Sequence, residues 1–262
     1  MKNSLIGKTA IICGSSQGIG KSIANILAQS GVSIILLARN KNKLKEVYDN
    51  LNTDYKQSHK IIVCDLENNK TLKNKIDDLK KSNLYPDIII NNSGGPPPSQ
   101  ILDAQIDDFD KYIKSHLFSS HLLTKAFIPN MKKNQFGRII NIISISVKAP
   151  IKNLGVSNTI RWAMASWAKT LSNEVAKYGI TVNNILPGFT DTERLRSLLE
   201  SRSLNERVSI DYIEKQYKNN IPAGRFGSPK DIANGALFLC SNKANYINGI
   251  NLPIDGGFTP TL

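Results

Sequence analysis

The chain has 262 residues, of which 40% are hydrophobic and 21% are charged, and its formal net charge at pH 7 is +13. There is enough apolar surface to offset chain entropy, which excludes a disordered chain. A net positive charge can indicate a nucleic-acid or anionic-membrane partner. Here, lysines such as Lys41, Lys80 and Lys132 are scattered rather than clustered, so we interpret the charge as compositional bias and expect neither partner.

The cysteines and the N-terminal segment indicate the cellular compartment. Cys13, Cys64 and Cys240 are far apart and have neither metal-like nor redox-like spacing, so we expect buried core thiols and no bound metal. The first apolar run begins almost at the N-terminus, which leaves no room for a signal peptide, and no apolar run approaches the ~18 residues of a membrane span. We therefore expect a cytoplasmic protein.

Short apolar runs rich in β-branched residues recur at regular spacing along the chain. They are residues 9–13, 33–37, 60–64, 87–90, 138–143, 181–185 and 250–254. Such nearly continuous runs are typical of parallel strands that are covered on both faces. Helical periodicity lies between them, as in Ile19, Ile23 and Leu27. This order predicts one α/β domain over residues 1–262, a Rossmann-type doubly wound parallel sheet flanked by helices on both faces.

A glycine-rich turn links the first predicted strand to the first predicted helix. Its residues are Gly14, Ser15, Ser16, Gln17, Gly18, Ile19 and Gly20. Glycines let the backbone approach a pyrophosphate, and a helix start supplies unpaired N–H groups. The spacing is not that of the commonest Rossmann fingerprint, but the strand before the turn and the helix after it support the same interpretation. We predict that all seven residues bind a dinucleotide.

The end of the second predicted strand indicates which dinucleotide binds. A NAD-specific site places an acidic group there, on the ribose hydroxyls. Ala38 cannot fill that role, whereas Arg39 offers a planar cation suited to a 2′-phosphate, so the sequence favours NADP(H) over NAD(H). The alternative is a solvent-exposed arginine in a loop, which would leave the choice of cofactor open.

The longest stretch without a clear pattern is residues 189–222, which follows the end of a predicted strand. Ligands bind at the carboxyl ends of strands in such sheets, so one interpretation is a substrate lid. The other is a surface helical hairpin with no role in function.

A series of landmarks spans nearly the whole chain. They are Gly14 to Gly20, Asp65-Leu66, Asn91-Asn92-Ser93-Gly94, Gly137-Arg138-Ile139, Ser144, Gly179 to Asn183, Pro187-Gly188 and Asp255-Gly256-Gly257. In order and spacing they resemble the short-chain dehydrogenase/reductase family, most closely its 3-oxoacyl-carrier-protein reductase branch. The resemblance implies that Asp65 and Leu66 border the adenine, that Asn91, Ser93 and Gly94 line the cofactor, and that Pro187, Gly188 and Thr190 meet the nicotinamide. It also implies a homo-oligomer, a tetramer or a dimer.

The chain departs from this family at its catalytic positions. Members normally carry Tyr thirteen residues after the catalytic Ser, Lys four residues further on, and Asn on the preceding helix; here these positions are Ser157, Arg161 and His116. Ser157 and Arg161 are expected to share one face of a helix. Because Arg161 stays protonated, it can hold ribose hydroxyls or polarise a carbonyl but cannot relay a proton.

The proton that the tyrosine would supply needs another source. His116 is our candidate, acting through Ser144, Ser157 or water, because an unperturbed histidine has a pKa near neutrality. A histidine packed for structural reasons is the alternative. Ser146 could substitute for Ser144, and Tyr112 lies one turn before His116 on the same predicted face.

These features support two functions. The first is an NADPH-dependent reductase that converts the carbonyl of a small ketone or 3-oxoacyl compound to an alcohol, with the carbonyl held by Ser144 and Arg161 supporting the developing oxyanion or the ribose. The second is an NADP(H)-binding protein without redox turnover, a regulator or an inactive subunit. The replaced Tyr and Lys motivate the second.

Overall fold

The structure, a computed structural model, describes residues 5–261, and its centre is a parallel β-sheet of the predicted kind. In the described residues the sheet order is β3-β2-β1-β4-β5-β6-β7. The strands are β1 (Thr9–Cys13), β2 (Ser33–Ala38), β3 (Lys60–Val63), β4 (Ile88–Asn91), β5 (Gly137–Ile142), β6 (Ile180–Pro187) and β7 (Asn251–Ile254). Each predicted strand is confirmed, with its ends shifted by at most two residues, and so is the doubly wound fold class.

Helices cover both faces of the sheet. They are α1 (Gly18–Ala28), α2 (Lys41–Asp49), α3 (Asn69–Lys81), α4 (Ile106–Ile113), α5 (Ser119–Lys133), α6 (Gly155–Val175), α7 (Glu193–Glu206), α8 (Ile210–Asn219) and α9 (Pro229–Cys240). The stretch 189–222 shows no clear pattern in the sequence, but in the structure it contains two helices, α7 and α8. These two helices share a small apolar core of Leu195, Leu199 and Ile213.

Local capping explains where several helices begin. The side chains of Asn40, Asn68, Thr192, Ser209 and Ser228 each accept a hydrogen bond from a backbone N–H in the first turn of the helix that follows. Such a bond satisfies one of the N–H groups that have no partner inside the helix. These polar residues therefore fix the starts of α2, α3, α7, α8 and α9.

The core consists of two apolar layers separated by the sheet. One layer joins the strands to α1, α2 and α9, through residues such as Ile23, Leu44 and Ile232. The other joins them to α3, α5 and α6, through residues such as Leu72 and Phe127. Burial on both faces explains why the strands read as continuous apolar runs rather than as alternating ones.

A row of asparagines crosses four neighbouring strands. Asn91, Asn141, Asn184 and Asn251 are paired in register on β4, β5, β6 and β7. Each Nδ2 donates to the Oδ1 of the next asparagine at 2.8 Å, from Asn91 through to Asn251. Buried amides need such partners, so the row provides a chain of hydrogen bonds between side chains inside the sheet.

The cysteines are confirmed as core thiols. Cys13, Cys64 and Cys240 are buried and free, and burial raises the pKa of Cys13 and of Cys240 to about 12. Across residues 5–261, no group of three or more His, Cys, Asp or Glu side chains is placed to hold a metal ion. No helix in this part of the chain is both long and apolar enough to cross a bilayer.

Candidate functional site

The glycine turn follows β1, where the order of the parallel strands reverses and the carboxyl ends of β1 and β4 lie side by side. Gly14 and Gly18 have φ angles of +59° and +54°, which side-chain-bearing residues rarely adopt. A Cβ atom on Gly20 would lie 2.2 Å from the carbonyl oxygen of Gly14, so only glycine lets α1 start this close to the strand. The turn thus has the tight backbone that approach to a phosphate requires.

The start of α1 has free donors for an anion. The residue before the helix, Gln17, makes no capping hydrogen bond from its side chain, and the first turn of α1 contains no acidic residue. The first N–H groups of the helix, and the positive end of its dipole, therefore face the turn unopposed. This arrangement fits the pyrophosphate of a dinucleotide.

Two serines of the turn are placed differently. Ser15 is fully buried, and its Oγ accepts a hydrogen bond from the backbone N–H of Leu37 at 3.0 Å, which ties the turn to β2. Its backbone N–H donates to the carbonyl oxygen of Leu37 at 3.4 Å, so both the side chain and the N–H of Ser15 are structural links. Ser16 is half-buried, and Gln17 is exposed, where its Oε1 accepts a hydrogen bond from Lys43 Nζ at 2.8 Å.

The structure places Arg39 and Asp65 side by side, at the ends of two neighbouring strands. Arg39 is the first residue after β2, and Asp65 is the second residue after β3. Arg39 Nη1 lies 3.8 Å from Asp65 Oδ2. The Arg39 side chain is 72% exposed, so its guanidinium remains open to a phosphate from solvent. Asp65 also accepts a hydrogen bond from the backbone N–H of Glu67 at 3.0 Å, which fixes the start of that loop.

His116 lies in an element that the sequence does not reveal. A single π-helical turn, Lys114–Phe118, joins α4 to α5 and carries His116, which is 4% exposed. Its Nε2 lies 3.1 Å from the carbonyl oxygen of Gly94, and its Nδ1 lies 2.6 Å from Ser93 Oγ. A carbonyl only accepts, so Nε2 carries the proton and Nδ1 accepts from the serine. Single π turns within helices are common at functional sites.

The environment of His116 corrects one premise of the sequence analysis. Burial and the nearby charge of Arg161 hold the pKa of His116 well below its usual range, although the hydrogen bond to Gly94 opposes the shift. The expectation of a pKa near neutrality is therefore wrong at this position. The imidazole is neutral at ordinary pH, and its one N–H is engaged by the loop after β4. Its ring lies 6.4 Å from that of Tyr112, the residue expected one turn earlier.

Ser144 and Ser146 follow β5 in a short 3-10 turn but differ in access. Ser144 is half-buried, and its Oγ accepts a hydrogen bond from the backbone N–H of Ser146 at 3.1 Å, which leaves its own proton free to donate. Ser146 is fully buried, and its Oγ has no partner among the described residues. Ser144 is consequently the serine of this pair that can meet a ligand.

Arg161 enters the site from α6. It is 7% exposed, and its Nη1 donates to the carbonyl oxygen of Ile142 at 3.0 Å, two residues before Ser144. Its Nη2 lies 3.4 Å from the position that a Cβ on Gly95 would occupy. Burial, with Arg194 nearby, lowers the pKa of Arg161 to about 10, so the guanidinium stays charged at neutral pH. Ser157 lies one turn earlier on α6 and is half-buried.

The residues expected at the nicotinamide follow β6. Pro187 ends the strand, and a Cβ on Gly188 would lie 2.7 Å from the Cα of Asp255, so this passage is open only to glycine. Thr190 is 6% exposed, and its Oγ1 donates to the carbonyl oxygen of Gly188 at 3.1 Å. Leu66, beside Asp65, is half-buried against the core, where the resemblance places the adenine.

The sequence does not reveal which residues connect the 189–222 segment to the site. Lys43 Nζ bridges Gln17 and Glu193, at 2.8 and 3.3 Å, and Arg194 donates to the carbonyl oxygen of Pro96. A cavity of about 410 Å³ lies between the start of α1 and the start of α7. Each of these contacts joins residues far apart in the chain, so no local pattern could have pointed to them.

The chain is similar over nearly its whole length to known reductases. Residues 14–259 match a family profile described as enoyl-(acyl carrier protein) reductase. The chain is 36% identical over 255 residues to the 3-oxoacyl-acyl-carrier-protein reductase FabG of Rickettsia prowazekii (strain Madrid E), covering 97% of each chain. It is 30% identical over 251 residues to the NADPH-dependent reductase BacG of Bacillus subtilis (strain 168), covering 95% of this chain and 97% of the relative.

Solved structures give the same result. The L-sorbose reductase from Gluconobacter frateurii, in a complex with NADPH and L-sorbose, is 28% identical and superposes with a TM-score of 0.93, covering 100% of both chains. YwfH, an NADPH-dependent reductase involved in bacilysin biosynthesis, is 29% identical with a TM-score of 0.91, covering 97% of this chain and 99% of the other.

Proposed function

The chain belongs to the short-chain dehydrogenase/reductase family, and we propose that it is an NADP(H)-dependent oxidoreductase that reduces the carbonyl of a small ketone or 3-oxoacyl compound to an alcohol. The observation that carries the proposal is the position of Arg161. Its guanidinium lies at the carboxyl ends of β4 and β5, against Gly95 and bonded to the carbonyl oxygen of Ile142, two residues before Ser144 in the chain. A buried cation at the strand end that leads to a free hydroxyl is suited to stabilise an oxyanion.

The choice of cofactor is supported by the chemistry of two places in the cleft. The glycine turn and the start of α1 fit a pyrophosphate, and the exposed Arg39 fits a 2′-phosphate. NADPH appears in the names of the Bacillus subtilis relative and of the L-sorbose reductase complex. The residues proposed to line the cofactor are those of the turn, with Arg39, Asp65, Leu66, Asn91, Ser93, Gly94, Arg161, Pro187, Gly188 and Thr190.

The reaction needs one hydride and one proton. Bound NADPH supplies the hydride from its nicotinamide ring. Ser144 donates a hydrogen bond to the carbonyl oxygen of the substrate, and Arg161 stabilises the negative charge that develops on that oxygen. With a pKa of about 10, Arg161 keeps its proton at neutral pH, and the N–H of His116 is held by Gly94. The proton therefore comes from water through the hydroxyls of Ser144 and Ser157, and His116 positions the loop after β4.

We propose that α7 and α8 form the lid of the substrate cleft. Support comes from the contacts of Glu193 with Lys43 and of Arg194 with Pro96, which join this segment to both sides of the cleft. A homo-oligomer, a tetramer or a dimer, and a cytoplasmic location complete the proposal. Trp162 on α6 is 49% exposed, and it supports a subunit contact there because tryptophan is enriched at protein–protein interfaces.

The serine pair after β5 provides a test of the proposal. We expect the purified protein to oxidise NADPH with members of a panel of small ketones and 3-oxoacyl thioesters. Ser144→Ala should lower kcat/KM by about 10²–10³-fold, the usual effect of removing one oxyanion donor. Ser146→Ala, the matched control, removes a buried hydroxyl without a partner and should leave turnover unchanged. Equal losses in the two variants would contradict the proposed role of Ser144.

A second function is favoured by the loss of the Tyr and Lys that relatives of this family carry. It is a protein that binds NADP(H) but does not turn over, serving as a regulator or an inactive subunit. In that case the wild type should bind NADPH and reduce nothing in the panel, while Ser157→Tyr with Arg161→Lys should gain activity. An active wild type that loses or keeps its rate in this double variant would exclude the second function.

A further inference from the structure

Two arginines from different helices meet on one loop at the mouth of the cleft. Arg161 of α6 has its Nη2 3.4 Å from the Cβ position of Gly95, and Arg194 in the first turn of α7 donates to the carbonyl oxygen of Pro96. Their contact points are adjacent residues of the loop after β4. The chain thus brings two guanidinium groups to the same wall, one buried within the site and one on the proposed lid.

Neither of these arginines has a carboxylate partner within residues 5–261. Four others do: Arg39 pairs with Asp65, Arg196 with Asp191, Arg202 with Glu206, and Arg225 with Asp231. In addition, Arg161 is 7% exposed, and its buried Nε has no hydrogen-bond partner in the described part of the chain. A buried charge without a counter-ion is costly and is usually paired in a folded protein.

The two cations also act on one another. Besides burial, the charge of Arg194 lowers the pKa of Arg161, which places the two groups within electrostatic reach. An anion bound between the two guanidinium groups would offset their mutual repulsion. It would also accept hydrogen bonds from N–H groups that have no acceptor. Planar guanidinium groups bind planar carboxylates through two parallel hydrogen bonds, with defined geometry.

We propose that Arg161 and Arg194 bind the carboxylate of the substrate, so that the compound reduced is an oxo acid rather than a neutral ketone. This inference rests on the proposed function. The phosphates of the cofactor have other places, the glycine turn for the pyrophosphate and Arg39 for the 2′-phosphate. The carboxylate lies beyond them, on the substrate side of Gly95, and it joins the lid to the body of the protein through Arg194.

Matched acid and ester pairs test the proposal. The substrates are pyruvate, acetoacetate and levulinate, each against its methyl ester, because these acids place the carbonyl one, two or three carbons from the carboxylate. With NADPH in excess, we expect at least one acid to be reduced with a kcat/KM at least tenfold above that of its ester. Arg194→Gln should raise KM for that acid about tenfold or more and change the value for the ester less than twofold. Arg194→Lys should lie between the two.

Controls separate the proposed role from damage to the lid or to cofactor binding. Arg202→Gln removes an arginine of the same helix that is paired with Glu206, and it should leave the ratio of acid to ester unchanged. The Kd for NADPH should be the same in Arg194→Gln and in the wild type. The inference is overturned if esters or neutral 3-oxoacyl thioesters are preferred, if Arg194→Gln affects acid and ester equally, or if it weakens NADPH binding.

A binding experiment distinguishes failure of this inference from failure of the proposed function. If no carbonyl compound is reduced, the complex with NADPH is titrated by calorimetry with each acid and each ester. Binding of an acid that its ester lacks, lost in Arg194→Gln, supports the carboxylate site even without turnover. Absence of binding by all three acids overturns it, whatever the rate with neutral ketones.

Discussion

The two ends of the cleft differ in the chemical groups that form them: backbone at one end and side chains at the other. At the glycine turn the site is made of backbone, and its requirements are the absence of Cβ atoms at Gly14 and Gly20 and free N–H groups at the start of α1. At the other end the site is made of side chains, among them His116 and Arg161, whose charge states depend on burial and on neighbours. A site made of backbone depends on glycines, so its sequence pattern is retained. A site made of side chains can carry different residues at the same positions of the fold.

We expect the largest effect from adding one methyl group to the backbone of the glycine turn. In Gly20→Ala the new Cβ would lie 2.2 Å from the carbonyl oxygen of Gly14, so α1 must move away from the strand. We expect NADPH affinity to fall more than 100-fold, because the N–H groups that face the pyrophosphate lose their alignment. Fluorescence titration of NADPH measures the effect.

Gly227→Ala is the matched control for that variant. A Cβ there meets nothing closer than 3.8 Å, so both the fold and NADPH binding should survive. Thermal unfolding of Gly20→Ala tells a local change in the turn from global unfolding. Tight NADPH binding by Gly20→Ala would refute the backbone account of the cofactor end.

Arg39 is the one side chain at the cofactor end to which we assign selectivity. Arg39→Ala should lower the ratio of kcat/KM for NADPH to that for NADH by about 10–100-fold, as expected for loss of a hydrogen bond to a charged group worth ~1.5–3 kcal/mol. Lys45→Ala on the neighbouring α2, where Lys45 pairs with Asp49, is the control and should not change the ratio. An unchanged ratio in Arg39→Ala would mean that the arginine is only a surface residue.

The smallest expected effect concerns the end of the cleft formed by side chains, and it is the contribution of His116 to the pH dependence of stability. Because the pKa of His116 is lowered in the folded state, the unfolded chain binds more protons below pH ~6.5, the usual pKa of histidine. Stability is therefore complete above that pH and is lost as the pH falls towards the folded pKa. At pH 5.5 this costs on the order of 1 kcal/mol, so His116→Asn should reduce the drop in Tm between pH 7.5 and 5.5 by about 2–4 °C.

His121→Asn removes an exposed histidine of α5 and is the control for this measurement. It should keep the pH dependence of the wild type. A pH profile for His116→Asn that matches the wild type would show that folding does not shift the pKa of His116 from its usual value, and would restore the residue as a source of protons.

The sequence predicts most of the fold because the relevant signals are local. Apolar runs define the strands, helical periodicity defines α1, and glycine spacing defines the turn. The signals that fail are those set by tertiary neighbours. The lowered pKa of His116 arises from burial and from Arg161, and the contact of Arg194 with Pro96 joins residues 98 apart in the chain.

The helical pair α7 and α8 shows a different limit of the sequence. Its segment reads as unpatterned because few of its residues are buried: Leu195 and Leu199 in α7, and Ile213 in α8. A helix that buries as few side chains as α7 does gives a weak periodic signal. The capping residues Thr192 and Ser209 mark both helix starts, and they are the signal that could have predicted the pair.

The asparagine row across β4 to β7 constrains how this sheet can change by mutation. Asn141 and Asn184 each donate to one neighbour and accept from another. Replacing Asn141 alone by leucine would therefore leave Asn91 Nδ2 without its acceptor and Asn184 Oδ1 without its donor in the interior. Unpaired buried polar groups cost about 1–3 kcal/mol each, whereas an all-apolar row would lack that penalty. The first substitution in the row therefore lowers the stability most, and each later substitution lowers it less. Descendants of this chain should retain the row whole or lose it whole.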